Sequence, residues 1–455
     1  MSNAKRMTQG SPFRLILFFM IPFLIGNIFQ QLYGIADSAI VGQFLGVNAF
    51  AGVNVALVAM FTLISFSIGL GGGFTIVLAQ RFGAKSKMGV RKCVTTSIYL
   101  GLFSSILITI AGIFLSESIL IAINTPSEIF DFAHEFMILS CIGVPSLIAY
   151  NLLAGILKGI GNSKTVLYYL ILVVILNVGL DYFGVAILQM GVAGAAWATT
   201  LSQVISSILC AIYMFKKYDF LRPRKRDWRI SRAYILKHIK IALPMAIEFS
   251  VTSLGIMFLQ SAVNECGAEI VAGCSAAFKV ENILIVSFIS LASAVATYIA
   301  QNLGAKKYER IVSGVKVNLA VGMTMCFLCA ALIIVFWDQL VGLFIGGDEY
   351  AVRDAARQYI HIAIFNYPIL CLLMTFRAII QALGKTIPPI MSGISEVFVR
   401  SIGAHILASL FGYVGVCCAA VLSWHIACFI IISSYIFTIC RLKKRLTSKN
   451  IMKKC

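Results

Sequence analysis

Ala79-Gln80-Arg81-Phe82-Gly83-Ala84-Lys85 returns as Ala300-Gln301-Asn302-Leu303-Gly304-Ala305-Lys306, a shift of 221 positions. At the same shift, Leu45-Gly46-Val47-Asn48-Ala49-Phe50-Ala51-Gly52 returns as Cys266-Gly267-Ala268-Glu269-Ile270-Val271-Ala272-Gly273. Pro22 and Pro244 pair at nearly that offset, as do Pro145 and Pro368, and Gly161 with Lys164-Thr165 finds Gly384 with Lys385-Thr386 across a small gap. Chance does not hold one offset at five places, so the chain is read as an internal duplication.

Composition says what each copy contains. Of 455 residues, 60% are hydrophobic and only 12% charged, and the mean hydropathy is +0.94. A soluble domain carries roughly 25% charged residues, so most of this chain is not facing water. Apolar runs long enough to cross a bilayer number twelve. Six run from Phe13–Ser38 to Val192–Phe215, and six from Ile239–Ala262 to Gly415–Cys440. The expected fold class is therefore all-α integral membrane: twelve transmembrane helices in two six-helix pseudo-symmetric lobes. Residues 1–218 make the first lobe, 219–238 a basic linker, 239–441 the second lobe and 442–455 a basic tail. Six is an even number, so both lobes share one orientation. Their symmetry axis is expected along the membrane normal with a cavity between them, an architecture suited to alternating access.

A net charge of +19 could suggest nucleic acid, but that needs a basic face on a soluble fold. Here the Lys and Arg fall in short segments between apolar runs: Lys5, Arg6 and Arg14; Arg81 to Lys92; ten from Lys216 to Lys240; Lys306 to Lys316; and the tail. The alternate segments carry acids, among them Glu117, Glu128, Asp131, Glu265, Glu269, Asp338, Asp348 and Glu349. By the positive-inside rule this is a multi-pass protein of the plasma (inner) membrane with both termini cytoplasmic, embedded in lipid and making no use of nucleic acid. Most of the thirteen Cys lie in apolar runs as small hydrophobes, and Cys326-x-x-Cys329 lacks a second pair or a His for a metal site. The Gly69–Gly73 run lacks the Gly-Lys-Ser/Thr ending of a phosphate loop and reads as close helix packing.

Charge inside a span is expensive and points to function by default. Asp37 falls in the outer part of the first span. Asp181 and Asn177 share one face of the fifth, four residues apart, and Thr199 lies about two turns into the sixth. Their depths agree, and two carboxylates, an amide and a hydroxyl are hard oxygen ligands for a small cation. Two carboxylates at close quarters also compete for ionisation, so a proton can replace the cation. These four are the candidate coupling site. Glu248, one turn after Pro244, holds a similar place in the second copy. It is weighed equally as a substrate or proton carboxylate and as a helix-bonded acid. Glu396 and Arg400 read as a self-satisfied i, i+4 pair, Arg377 as snorkelling to the inner surface, and Lys279 and Glu281 as pairing or snorkelling near an outer end. His361, His405 and His425 are scattered and read as helix-bonding imidazoles.

Ile25-Gly26-Asn27-Ile28-Phe29-Gln30-Gln31-Leu32-Tyr33, followed by Asp37 and Val41-Gly42, resembles the first helix of multidrug and toxic compound extrusion (MATE) transporters. So do the duplicated Ala-Gln-x-x-Gly-Ala-Lys segments, Gly159-Ile160-Gly161-Asn162 with Lys164-Thr165, and Asn177-x-x-x-Asp181. The likeness runs from about Gly10 to Arg441. It implies twelve helices in two lobes, and export of organic cations or amphipathic drugs by a secondary active antiporter driven by sodium ions or protons. No other cofactor is implied, and a monomer suffices. It also implies a first-lobe cation site at Asp37, Asn177, Asp181 and Thr199. Some members use a helix-seven glutamate, matched by Glu248, with acids in helix ten. Helix ten here carries Arg377 and no Asp or Glu, which favours the first lobe. The main rival is a lipid-linked oligosaccharide flippase, whose pyrophosphate substrate calls for several cavity Arg or Lys where only Arg377, Arg400 and Lys279 are available. A major-facilitator transporter would carry an acid beside Lys85 and Lys87, and a membrane enzyme would need clustered His or carboxylates at one interface. Neither pattern is present, so no enzymatic activity is expected.

Overall fold

The computed structural model describes residues 6–342 and 350–451, except for the side chains at 338 and 442–451. The expectations for Lys5, Asp348, Glu349, the side chain of Asp338 and the end of the tail lie outside the described residues. Among them the chain is helical and has no strand. The helices are α1 (Pro12–Gly83), α2 (Lys87–Ala122), α3 (Ser127–Gly159), α4 (Ser163–Tyr182), α5 (Val192–Lys217), α6 (Arg232–Asn264), α7 (Ala268–Gly304), α8 (Tyr308–Val335), α9 (Trp337–Gly342), α10 (Tyr350–Ile364), α11 (Tyr367–Ala382), α12 (Ile387–Phe398), α13 (Ala404–Phe411) and α14 (Tyr413–Ile451). In hydrocarbon each backbone amide and carbonyl needs an internal partner, and a helix supplies them all.

Two elements depart from one helix per span. At 72 residues, α1 is far longer than a bilayer needs, and it holds the first two apolar runs. Gly46, at φ 83° and ψ −179°, breaks it between them. That backbone region is essentially open to glycine alone. The span expected at Gln358–Ala382 belongs instead to two helices, α10 and α11, bent by 57° around residues 365–366. Asn366 caps α11 and Pro368 lies in its first turn, where the missing amide costs nothing. With α1 taken as two crossings and the bent pair as one, the described residues make twelve.

The duplication recurs in backbone geometry. Left-handed residues pair at the repeat offset: Gly46 with Gly267 (φ 83° and 101°), Lys85 with Lys306 (57° and 58°), Gly161 with Gly384 (84° and 79°), and Gly191 with Gly412 (63° and 59°). The first three pairs fall in the matched sequence segments, and the fourth brings a further match at the same shift, Gly194 with Gly415. A π-turn follows α4 at Phe183–Ile187, and another follows α12 at Val399–Gly403. π-turns inside α-helices concentrate at functional sites.

The helices form two compact units, residues 1–250 with 297–311, and residues 251–296 with 312–455. In the first unit α3 packs on α1, α2 and α5, and α4 on α1 and α5. Val41, Val53, Met60, Leu120, Phe136 and Met137 are core residues there. Small residues set the closest approaches. Gly69 and Gly73 of α1 face Ala246 and Ala242 of α6, where an added methyl would fall 2.6 and 2.2 Å from backbone. Gly83 and Gly304, one in each copy of the opening motif, are reciprocal. A methyl on either would sit 1.9 Å from the carbonyl oxygen of Gln301 or Gln80. The chain's start is tied in here too: Arg310 donates to the Gly10 carbonyl at 2.8 Å, and Asn302 to that of Met7 at 3.1 Å. In the second unit α14 packs against α11, α12 and α13.

The basic 216–240 segment is not a free strand of charge. Asp227 accepts from Arg91 of α2 at 2.7 Å and from the Arg224 amide at 3.0 Å. Its own carbonyl accepts from Thr95 at 3.0 Å, and Tyr99 donates to the Trp228 carbonyl at 3.0 Å. Burial alone would push the Asp227 carboxyl up, but the Arg224 amide and the Arg91 guanidinium hold it below the ordinary carboxylate range.

Candidate functional site

The first unit brings Asp37, Asn177, Asp181 and Thr199 together. Asp37 lies on the first limb of α1, nine residues before the Gly46 break. Asn177 and Asp181 occupy the last turns of α4, just before the π-turn, and Thr199 sits two turns into α5 from Gly191. At 1.5 Å per helical residue each lies roughly 10–16 Å along its helix from the nearby backbone break or helix end. All three segments are positioned by local backbone events: a glycine-only break, a π-turn and a left-handed glycine.

The two acids and the amide are buried, and Thr199 is half-buried. Asp181 is 0% exposed, Asn177 1% and Asp37 7%. The carboxyls of Asp37 and Asp181 interact directly with each other. Asn177 Nδ2 donates to Thr199 Oγ1 at 3.1 Å, and the same oxygen is 3.1 Å from the Tyr33 hydroxyl. These bonds tie Asn177, Thr199 and Tyr33 into one network. Asp37 Oδ1, Asn177 Oδ1 and both Asp181 oxygens have no hydrogen-bond donor among the described residues. Four buried acceptors without a donor are costly. A cation or a proton is what that constellation can bind.

Tyr33 is a member of this cluster that the sequence reading did not assign. Its signal was available: it stands one helical turn before Asp37, on the same face. Glu248 is 2% exposed on α6.

Three readings of the second copy need correction. Arg377 does not snorkel: its side chain is 12% exposed and paired with Glu396. Glu396 and Arg400 are paired at 3.4 Å, but as part of a triad with Arg377 and not by themselves. Glu281 is buried and accepts from Tyr359 at 2.9 Å, so it does not reach for an interface. In each case the partner comes from a helix distant in sequence. His405 stands 3.3 Å from Glu265 and bonds the Ser401 carbonyl at 2.7 Å.

Comparison with known proteins agrees with this architecture. The MatE family's sequence profile matches twice, over residues 22–183 and 244–406, once in each copy of the duplication. The probable multidrug resistance protein YpnP of Bacillus subtilis is 28% identical over 379 residues, 83% of this chain and 84% of that protein. The multidrug export protein MepA of Staphylococcus saprophyticus is 24% identical over 418 residues, 90% of each chain. A crystal structure of MATE in complex with MaL6 superimposes with a TM-score of 0.88 at 25% identity, covering 96% of this chain and 98% of that one. With its two six-helix copies and a profile match over most of its length, the chain belongs to the MATE family and is a multi-pass membrane transporter.

Proposed function

We propose that the protein is a multidrug exporter of the cell membrane, an antiporter that expels organic cations or amphipathic drugs in exchange for sodium ions or protons. The observation that carries this reading is the acceptor-only pocket of Asp37, Asn177, Asp181 and Thr199. Two negative charges with neutral oxygens suit a monovalent cation. Among the described residues no group of three or more His, Cys, Asp or Glu stands together to hold a metal of higher demand. The relatives named above, a probable multidrug resistance protein and a multidrug export protein, support the substrate class.

Coupling follows from the geometry. With the pocket loaded, the two acids are neutralised and α1 and α4 can lie together. With it empty, two carboxylates face each other in a medium of low dielectric, where their repulsion is strong. Loading and release thus change the energy of holding α1 against α4, and α1 has its break at Gly46, nine residues from Asp37. Tyr33 and Thr199 orient the ligand oxygens and bear no charge of their own. Glu248 is kept as a separate substrate or proton carboxylate on α6. The basic segments support a cytoplasmic position for both termini, and a monomer accounts for the proposed activity. Against the flippase reading, Arg377 and Arg400 are both engaged by Glu396, which leaves few cations for a pyrophosphate.

Efflux of ethidium from cells expressing the protein tests this, with wild type beside Asp37→Asn. Extrusion that collapses with an ionophore and is lost in the variant is expected. Extrusion that survives Asp37→Asn at equal expression sinks the site and moves attention to Glu248. No extrusion of any cationic dye sinks the drug reading.

A further inference from the structure

The second unit holds a buried chain of charge that the Asp37 cluster does not use. Glu396 of α12 lies between two guanidiniums. Arg377 of α11 pairs with it and donates to Ser392 at 2.6 Å, and Arg400 of the second π-turn stands 3.4 Å away and donates to Ser423 of α14 at 3.0 Å. Arg400 is also close enough for its charge to be felt by Glu281 of α7, with no direct contact between them. Tyr359 of α10 donates to Glu281 Oε2 at 2.9 Å. Glu281 Oε1 is buried and has no hydrogen-bond donor among the described residues. Glu281 is 4% exposed, Glu396 2% and Arg400 7%.

Charge balance says which group can change state. Arginine does not release its proton in proteins, so two fixed positive charges stand here. Glu396 is held by both. Glu281 has one neutral hydrogen bond, the more distant charge of Arg400 and one bare oxygen. The groups facing it are Tyr359 from α10, Tyr367 from α11, Arg400 from the π-turn and Cys274 from its own helix. The two arginines and two glutamates sum to zero with Glu281 ionised and to +1 with it protonated.

We propose that Glu281, with Oε1 as the accepting atom, is a proton-binding site of the second unit, and that Arg400 is the charge it redirects. A proton added to the carboxylate makes the neutral acid, and Arg400 is then drawn to Glu396 alone. Its loss gives Arg400 a second acceptor. Arg400 sits in a π-turn, where the regular helical ladder is already interrupted, so its backbone can follow. This goes beyond the function proposed above: it is a second titrating carboxyl, remote in sequence from Asp37 and Asp181 and built from different residues.

The test is infrared difference spectroscopy of the purified full-length protein, stepped from alkaline to acidic pH. Asp37→Asn with Asp181→Asn serves as the background. A protonated-carboxyl C=O band is expected to persist there and to lose one carboxyl's amplitude on adding Glu281→Gln. Tyr359→Phe is expected to keep that amplitude and shift the band's frequency, because the hydrogen bond to Oε2 is gone. Unchanged amplitude in a folded Glu281→Gln variant overturns the proposal. Should that variant fail to fold, Tyr359→Phe decides: an unmoved band overturns it. The band is read without transport, so failure of dye efflux defeats the drug reading and leaves this one standing.

Discussion

Gly304→Ala puts the reciprocal glycine contact to the test. The new methyl would lie 1.9 Å from the carbonyl oxygen of Gln80, while ordinary contact begins at 3.4 Å. The ends of α1 and α7 must therefore part by about 1.5 Å, the gap between those two distances. Rotating the carbonyl aside is not open to the chain. Gln80 O already accepts from the Ala84 amide at 3.1 Å, and Gln301 O from that of Ala305 at 3.0 Å, so either rotation would unravel a last helical turn. Overpacking of this kind costs about 1–3 kcal/mol. Gly83→Ala meets the same clash from the other side, and once one methyl has opened the gap the second adds little. Thermal unfolding of the detergent-purified protein should show similar losses for the two single variants, and a double variant well short of their sum. Gly34→Ala is the control, since nothing lies within 4 Å of its added methyl. A Gly304→Ala midpoint equal to that of Gly34→Ala, or strictly additive losses, would refute the reasoning.

Gly46→Ala should lower the unfolding midpoint, at a cost of about 1–3 kcal/mol from backbone strain alone, because the position is open and only its φ of 83° excludes a side chain. An unchanged midpoint would mean that the α1 break relaxes freely. Tyr33→Phe removes a hydroxyl from Thr199. Under the proposed coupling role with sodium as the ion, it should weaken sodium binding, read by isothermal titration, by roughly the 10-fold or more usual for an outer-shell partner, while Asp37→Asn abolishes it. Asp227→Asn should cost about 1–3 kcal/mol by leaving Arg91 half-satisfied, with a definite pH signature. The Asp227 carboxyl is held below its ordinary range in the fold, so its contribution is complete above the unfolded value of about 4 and is lost as pH falls further. Wild type and variant should differ by a constant amount near neutrality and converge only under acid. Convergence at neutral pH would rule out the ion pair as the source.

What could be read beforehand divides by the reach of the signal. The duplication and the span count rest on local pattern, whereas the left-handed backbone at Gly46, Lys85 and Gly161 with their partners was not read from the matched segments that hold them. The Asn177–Asp181 face rests on local pattern too, because i, i+4 spacing is a property of one helix. Matching depths were enough to group Asp37 and Thr199 with it. Tyr33 was passed over because an aromatic in an apolar run looks like packing until its hydroxyl is seen on Thr199. Arg377 and Glu281 were misjudged for the converse reason: a buried charge declares itself in the sequence, but its partner 19 or 78 residues away does not. Glu396, seen only with Arg400 one turn on, hid a triad.

The ties from Arg310 to Met7 and Gly10 also bear on how the protein is made. The leading end of α1 is synthesised well before its anchors, since Arg310 follows Met7 by 303 positions. At ~5–20 residues per second, that separation is on the order of 15–60 s of synthesis. A chain that stops before Gln301 lacks Gln301, Asn302, Lys307 and Arg310, which hold Met7, Thr8 and Gly10, so docking of the segment that leads into α1 depends on completion of the second copy's opening helices.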